Sequence, residues 1–225
     1  MQPVITAEGL SLSAARGRVY GPLSFDVADP LSVLCGPVGS GRTSLLLTLS
    51  GRMKAGSGSL TVLERSLPRD ARAVQKQTAI AGFEGIDDLE PGVTVGQAVR
   101  ERLAWLSPWW SFVPKATDRQ VTRACAPVFG ETAIPGASTV IWDLGEAEKF
   151  LLRLSLAMLS TPQILFVDDI EQLHSETARR LVWECLAAIA AAGTAVVVGA
   201  ASLENDLWDS LPIQPSALLL SQEAR

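Results

Sequence analysis

Hydrophobic and polar positions alternate at the start of the chain. VITAEGLSLS and RVYGPLSFDV read as two strands separated by turn residues. LSVLCG is a short continuous apolar run, the pattern of a strand covered on both faces. A helix is predicted over Arg42 to Leu49, followed by GSGSLTV as a turn into another strand, and AVQKQTAIAGF ends in one more. Near the other end, QILFVDD returns to a buried strand. SETARRLVWECLAAIAAAG is an amphipathic-to-buried helix closed by Gly193, and TAVVVGA is a further strand. Strands alternating with helices in this way predict an α/β fold with a mostly parallel core sheet.

Between those two regions the texture changes. From about residue 85 to residue 162 there are helix-compatible stretches interrupted by Pro91, Pro108, Pro114, Pro127 and Pro135, with few strand signals. This predicts a helical subdomain, residues 85–162, inserted into a single domain spanning 1–225. The uncharged segment from Cys185 to Leu203 approaches the length of a membrane span. It is mostly alanine and is split by Gly193, so helix, turn and buried strand is the expected outcome. The N-terminal MQPVITAEGL has no basic region leading into an apolar run, and no signal peptide is expected.

Composition narrows the chemistry. The chain has 225 residues, 48% of them hydrophobic, and a formal net charge of −5 with acids and bases interspersed. No basic face for a phosphodiester backbone is implied, which argues against nucleic acid as a partner. Cys35, Cys125 and Cys185 are widely spaced and odd in number, as expected of small buried hydrophobes in a reducing compartment. His174 is the sole histidine, which excludes a multi-histidine metal site.

Two stretches carry candidate chemistry. In LCGPVGSGRTSLL, the loop Gly36, Pro37, Val38, Gly39, Ser40, Gly41, Arg42, Thr43, Ser44 has the rhythm of a phosphate-cradling P-loop. Its glycines let backbone amides turn inward at a helix N-terminus, an arrangement that favours anions. Thr43 stands where a hydroxyl ligand of Mg²⁺ belongs. Arginine at position 42 makes the pattern weaker than the lysine form, and alone it is equally a plain glycine turn. In ILFVDDI, four apolar residues run into Asp168 and Asp169. That is either a core strand ending in surface acids or a strand delivering Asp168 to Mg²⁺ and Asp169 to an attacking water.

Taken together, these stretches resemble the ATP-binding cassette family, the ATPase subunits of ABC transporters, over nearly the whole chain. Counting back from ILFVDD without gaps, Thr161 and Pro162 fall on the family's D-P pair, and LGEAE, Leu144 to Glu148, falls on its LSGGQ signature. LEPGVTVGQAV, Leu89 to Val99, is similar to the stretch after the family's Q-loop. The resemblance implies a P-loop NTPase with N-terminal antiparallel strands, binding ATP or ADP with Mg²⁺ through Thr43 and Asp168. Asp169 and Glu84 take the catalytic base and Q-loop positions. It also implies an integral membrane partner subunit, a second cassette as homo- or heterodimer partner, and a cytoplasmic location peripheral to the inner face of the membrane.

The departures from the family pattern are specific. Arg42 replaces lysine, Asp169 replaces glutamate, and Gly145, Glu146 and Ala147 replace the signature's serine and glycines. Ala200 or Ala201 stands where the switch histidine is expected, and Tyr20 is the sole aromatic candidate for stacking on adenine. Glu146 is expected to repel a phosphate held by a partner cassette. These changes predict slow or absent hydrolysis, with a non-catalytic nucleotide-sensing or scaffold protein as the alternative. In SPWWSFVP, Trp109, Trp110 and Phe112 either fill a small core of the helical insert or form an aromatic dock for the membrane subunit.

Overall fold

The computed structural model describes residues 2–15 and 17–220. Strands β1 (Ile5–Ala14) and β2 (Gly17–Val27) pair antiparallel; β3 (Leu31–Cys35) then enters the core and helix α1 (Arg42–Leu49) leaves it. After β4 (Ser57–Val62) and β5 (Arg65–Leu67) come α2 (Ala71–Gln77) and β6 (Thr78–Ala81). Three helices follow before the next strand: α3 (Val95–Leu106), α4 (Asp118–Phe129) and α5 (Glu146–Met158). The chain returns through β7 (Ile164–Val167), α6 (Glu176–Ala191), β8 (Ala195–Ala200), the short α7 (Asn205–Trp208) and β9 (Ser216–Leu219).

These strands make two sheets. One is antiparallel in the order β2-β1-β4-β5, and the other is fully parallel in the order β6-β7-β8-β3-β9. The parallel strands are apolar on both faces because each face meets a different layer. On β7, Leu165 and Val167 join the core shared with α3 to α6, while Ile164 and Phe166 join the core shared with α1 and the antiparallel sheet. The same alternation of period two runs along β8, with Val196 and Val198 facing one way and Val197 the other. The uncharged Cys185–Leu203 segment is split as its glycine predicts, into the end of α6 and β8. No helix among the described residues is long and apolar enough to cross a membrane. Residues 205–219 add α7 and the edge strand β9, for which four-residue runs offered too little periodicity to be read in advance.

A carboxylate in the loop after β6 ties α5 to the sheet. Asp87, in the loop after β6, accepts hydrogen bonds from the backbone N–H groups of Gly82 and Phe83 at 3.0 and 2.7 Å. The same carboxylate takes a two-pronged contact from Arg153 of α5, at 3.0 Å from Nε and 2.7 Å from a terminal nitrogen. Arg153 also donates to Gln172 at 2.8 Å, and its side chain is only 9% exposed. Such a paired, nearly buried guanidinium leaves an uncompensated charge if its partner is deleted. Arg153→Ala and Asp87→Ala are each expected to cost about 2 kcal/mol in urea unfolding. The double variant should fall short of their sum by roughly 1 kcal/mol or more. Strict additivity in that cycle would mean the pair is not the tether.

Candidate functional site

The site forms where three parallel strands end side by side. β3 delivers Gly36, whose N–H donates to the carbonyl of Ala200 at the end of β8, and β7 on the other side of β8 delivers Asp168. Gly41 sits at the N-cap of α1 with φ of +82°, a left-handed conformation suited to glycine. A Cβ added there would lie 2.3 Å from the carbonyl oxygen of Val19, so the loop can run this close to β2 only with glycine at 41. Neither a capping side chain nor an acidic residue occupies the first turn of α1, so its unpaired N–H groups and positive dipole end face the cleft.

The cleft has a volume of about 430 Å³ and is lined by Val38, Gly39, Gly41, Arg42, Thr43, Ser44, Glu84, Asp168 and Asp169. The structure thus gathers most of the residues singled out in the sequence. Of the rest of the loop, Gly36 and Ser40 are buried beneath it and Pro37 is exposed, none of them lining the cleft. Thr43 Oγ1 donates to Asp168 Oδ2 at 2.5 Å, joining residues 125 apart in sequence. Asp168 is 3% exposed, and its second oxygen, Oδ1, has no hydrogen-bond partner. Burial pushes the Asp168 carboxyl above the ordinary aspartate range, while the Thr43 hydroxyl, the Asp169 N–H and Arg42 pull it back. Gly199 makes room for it, since a Cβ at that position would stand 2.7 Å from Oδ1. A buried carboxylate oxygen without a donor, beside a hydroxyl and a helix N-terminus, is the donor set that a hard divalent cation takes. The residues present therefore fit Mg²⁺.

Arg42 uses one of its donors inside the loop, from a terminal nitrogen to the carbonyl of Gly36 at 2.7 Å. A guanidinium carries five N–H donors, so this clip leaves others for an anion in the cleft. Asp169 has φ of +51°, a left-handed backbone that aspartate tolerates but that other residues seldom adopt. Its carbonyl is held by the side-chain amide of Gln172 at 2.8 Å, which also donates to the carbonyl of Gly82 at 3.3 Å. Gln172 thus links the turn after β7 to the loop before Glu84, and through Arg153 to α5.

Three expectations are corrected. Tyr20 is not an adenine platform: it is 4% exposed, and its hydroxyl donates to Thr48 Oγ1 at 2.8 Å inside the core behind α1. Glu146 does not stand free to repel a phosphate. Its two carboxylate oxygens accept the N–H groups of His174 and Ser175 at 3.0 and 2.9 Å, and those donors hold its carboxyl below the usual glutamate range. Trp109, Trp110 and Phe112 do not fill a subdomain core, because all three lie in solvent.

The sequence reading also missed Glu171. No imidazole can occupy Ala200 or Ala201, and instead the Glu171 carboxylate accepts the N–H of Ala201 just past β8. Its other oxygen is buried without a partner. Asp87, Gln172 and Glu171 each lie within three residues of a motif position, but nothing in a linear pattern shows which of several adjacent polar side chains turns inward.

The model of the ABC transporter family matches residues 22–171. Nod factor export ATP-binding protein I of Bradyrhizobium sp. (strain SNU001) is 27% identical over 194 residues, covering 86% of this chain and 56% of that protein. Its counterpart in Rhizobium meliloti (strain 1021) is 25% identical over 198 residues, covering 88% and 52%. The chain thus spans about half the length of these relatives. Among solved structures, a putative ABC transporter ATP-binding protein from Pyrococcus furiosus superposes with a TM-score of 0.72 at 15% identity, covering 96% of each chain. An ATP-binding cassette of an ABC transporter in its ADP conformation gives 0.71 at 14% identity, covering 91% of this chain and 83% of that one. With the two-sheet fold and the cleft between β3, α1 and β7, the match establishes that this chain belongs to the ABC transporter family.

Proposed function

We propose that this chain is an ATP-binding subunit of a membrane transporter, taking ATP or ADP with Mg²⁺ in the Gly36–Ser44 cleft and hydrolysing slowly or not at all. The observation that carries the reading is the Thr43–Asp168 hydrogen bond at the cleft, with the second Asp168 oxygen buried and unpartnered. Backbone N–H groups at the start of α1 take the phosphates, and Arg42 adds a second donor while keeping its clip on Gly36. Thr43 and Asp168 hold Mg²⁺, which supplies positive charge against the phosphate oxygens. Asp169 orients water at the cleft wall, and Glu84 lines the same cleft from the loop after the neighbouring strand β6.

Slow turnover follows from what these side chains lack. Aspartate at 169 is one methylene shorter than glutamate and reaches about 1.5 Å less far toward a water, the length of one carbon–carbon bond. Ala200 and Ala201 offer no imidazole. A second cassette, identical or different, would meet Gly145-Glu146-Ala147, where no serine hydroxyl is available and Glu146 is already engaged by His174 and Ser175. Each missing contact to developing charge is worth roughly 3 kcal/mol of barrier.

The membrane subunit is assigned to the groove between the sheet and α3–α5, with a volume of about 490 Å³ and Ile86, Leu89, Glu101, Arg102, Trp105 and Leu156 among its walls. Its walls mix apolar side chains with charged ones of both signs, a lining that suits an amphipathic helix. Docking there puts the chain on the inner face of the cell membrane.

Two measurements test the nucleotide reading. Calorimetry is expected to detect MgATP or MgADP binding, weakened about ten- to a hundredfold by Asp168→Asn or Thr43→Val, the scale of a lost charge-assisted contact. No binding at millimolar nucleotide would leave the loop as a turn only. Steady-state phosphate release should stay well below about 1 per second, the lower end of ordinary enzyme turnover, and rise in Asp169→Glu. A rate of several per second that Asp169→Asn abolishes would show Arg42 and Asp169 to be a working variant and overturn the slow-turnover reading.

A further inference from the structure

Four aromatic rings in and after the last turns of α3 stand in water: Trp105 is 78% exposed, Trp109 91%, Trp110 73% and Phe112 84%, with Leu106 beside them at 44%. Single exposed apolar side chains are ordinary, but a contiguous set of this size marks an interaction surface. The backbone that carries them is braced. Ser107 Oγ donates to the carbonyl of Leu103 at 2.7 Å at the end of α3. Ser111 N–H donates to the carbonyl of Pro108 at 2.8 Å, closing a turn whose two central residues are Trp109 and Trp110. Arg100 Nε donates to the carbonyl of Val113 at 2.9 Å, pinning the returning segment against α3. The indoles of Trp109 and Trp110 pack edge to face, with centroids 5.6 Å apart at 86°. The rings therefore project from a built turn.

Charge says what kind of surface they fit. No charged residue occurs from Leu103 to Pro114, yet the flanks are basic: within residues 100–123 there are five cations, Arg100, Arg102, Lys115, Arg119 and Arg123, against Glu101 and Asp118. All but Arg102 of the five are exposed. This local positive excess contrasts with a net charge of −5 for the chain. Of the aromatics, Trp105 lines the groove assigned to the membrane subunit, whereas Trp109, Trp110 and Phe112 do not. A helix seated in the groove leaves those three uncovered.

We propose that the Trp109–Phe112 segment is an interfacial anchor that enters the headgroup region of an anionic bilayer, with Arg100, Lys115, Arg119 and Arg123 meeting lipid phosphates. Tryptophan suits that depth, its ring body in the acyl boundary and its N–H among the headgroups. Exposed basic side chains around it gain from a negative surface potential. An anchor of this size is reversible, and it adds to a docked membrane subunit as a second, separate hold. It depends on neither nucleotide binding nor turnover, and it goes beyond the groove-docking reading because it needs no protein partner.

The test uses the full chain and protein-free vesicles, either pure phosphatidylcholine or equal parts phosphatidylcholine and phosphatidylglycerol. Sedimentation should show binding to the anionic vesicles, and bromine atoms on the acyl chains should quench tryptophan fluorescence. The triple variant Trp109→Ser, Trp110→Ser, Phe112→Ser should lose about tenfold or more in partitioning while its urea midpoint stays unchanged. Lys115→Gln, Arg119→Gln, Arg123→Gln should erase the preference for anionic over neutral vesicles. Absence of wild-type binding to both vesicle types overturns the anchor, as does undiminished binding by the aromatic variant. A triple variant that keeps vesicle binding and loses only a detergent-purified membrane subunit assigns the rings to a protein contact and also overturns it.

Discussion

The chemistry of this chain depends on β8 lying between β3 and β7 in parallel register. With Cys35 opposite Ala200 and Val167 opposite Val198, the phosphate-type loop and the Asp168–Asp169 pair emerge from the same edge of the sheet. Thr43 can then reach Asp168 across a sequence gap of 125 residues. Displacing β8 by one position would turn its apolar set toward the wrong layers, so packing on both faces fixes the register that the site needs. Gly199 belongs to the same constraint, since it is the point on β8 where the Asp168 carboxylate must be admitted.

From that edge a set of carboxylates and one guanidinium distributes order outward. Asp87 holds the loop before Glu84, Arg153 joins Asp87 to α5, and Gln172 bridges Arg153, Gly82 and Asp169. Glu146 at the head of α5 binds the backbone just before α6. The segment in the signature position is thus held by the chain's own turn after β7. The polar groups that connect α5 to the wall of the cleft are all in one chain.

The fold was legible because its signals are ones that a linear pattern carries: apolar runs of the right length, a glycine loop opening a helix, and paired acids after a strand. Arg42 to Leu49 is a helix in the structure as its pattern predicts, and β3, β7 and β8 occupy the apolar runs that mark them. What could not be read is side-chain direction. Tyr20 alternates as a strand residue should, and only the register of β2 against α1 decides that its hydroxyl meets Thr48 rather than a base. Glu146 has a charge visible in the sequence, but its two backbone partners lie 28 and 29 residues away.

The replacements around the cleft form a consistent set once direction is known. Arg42 is clipped to Gly36, Glu171 takes the N–H of Ala201 near the position where an imidazole is absent, and Glu146 is turned inward. Each adds a contact within the chain, and Arg42 keeps further donors free while doing so. The groups proposed to hold phosphates and a cation, namely the loop amides, Thr43 and Asp168, are all at the cleft. On the proposed reading, binding without added reach stabilises the bound state rather than the transition state, and binding of that kind does not accelerate the chemical step. The Arg153–Asp87–Gln172 bridge physically joins the turn after β7, which carries Asp169, to α5 and to the groove beside it.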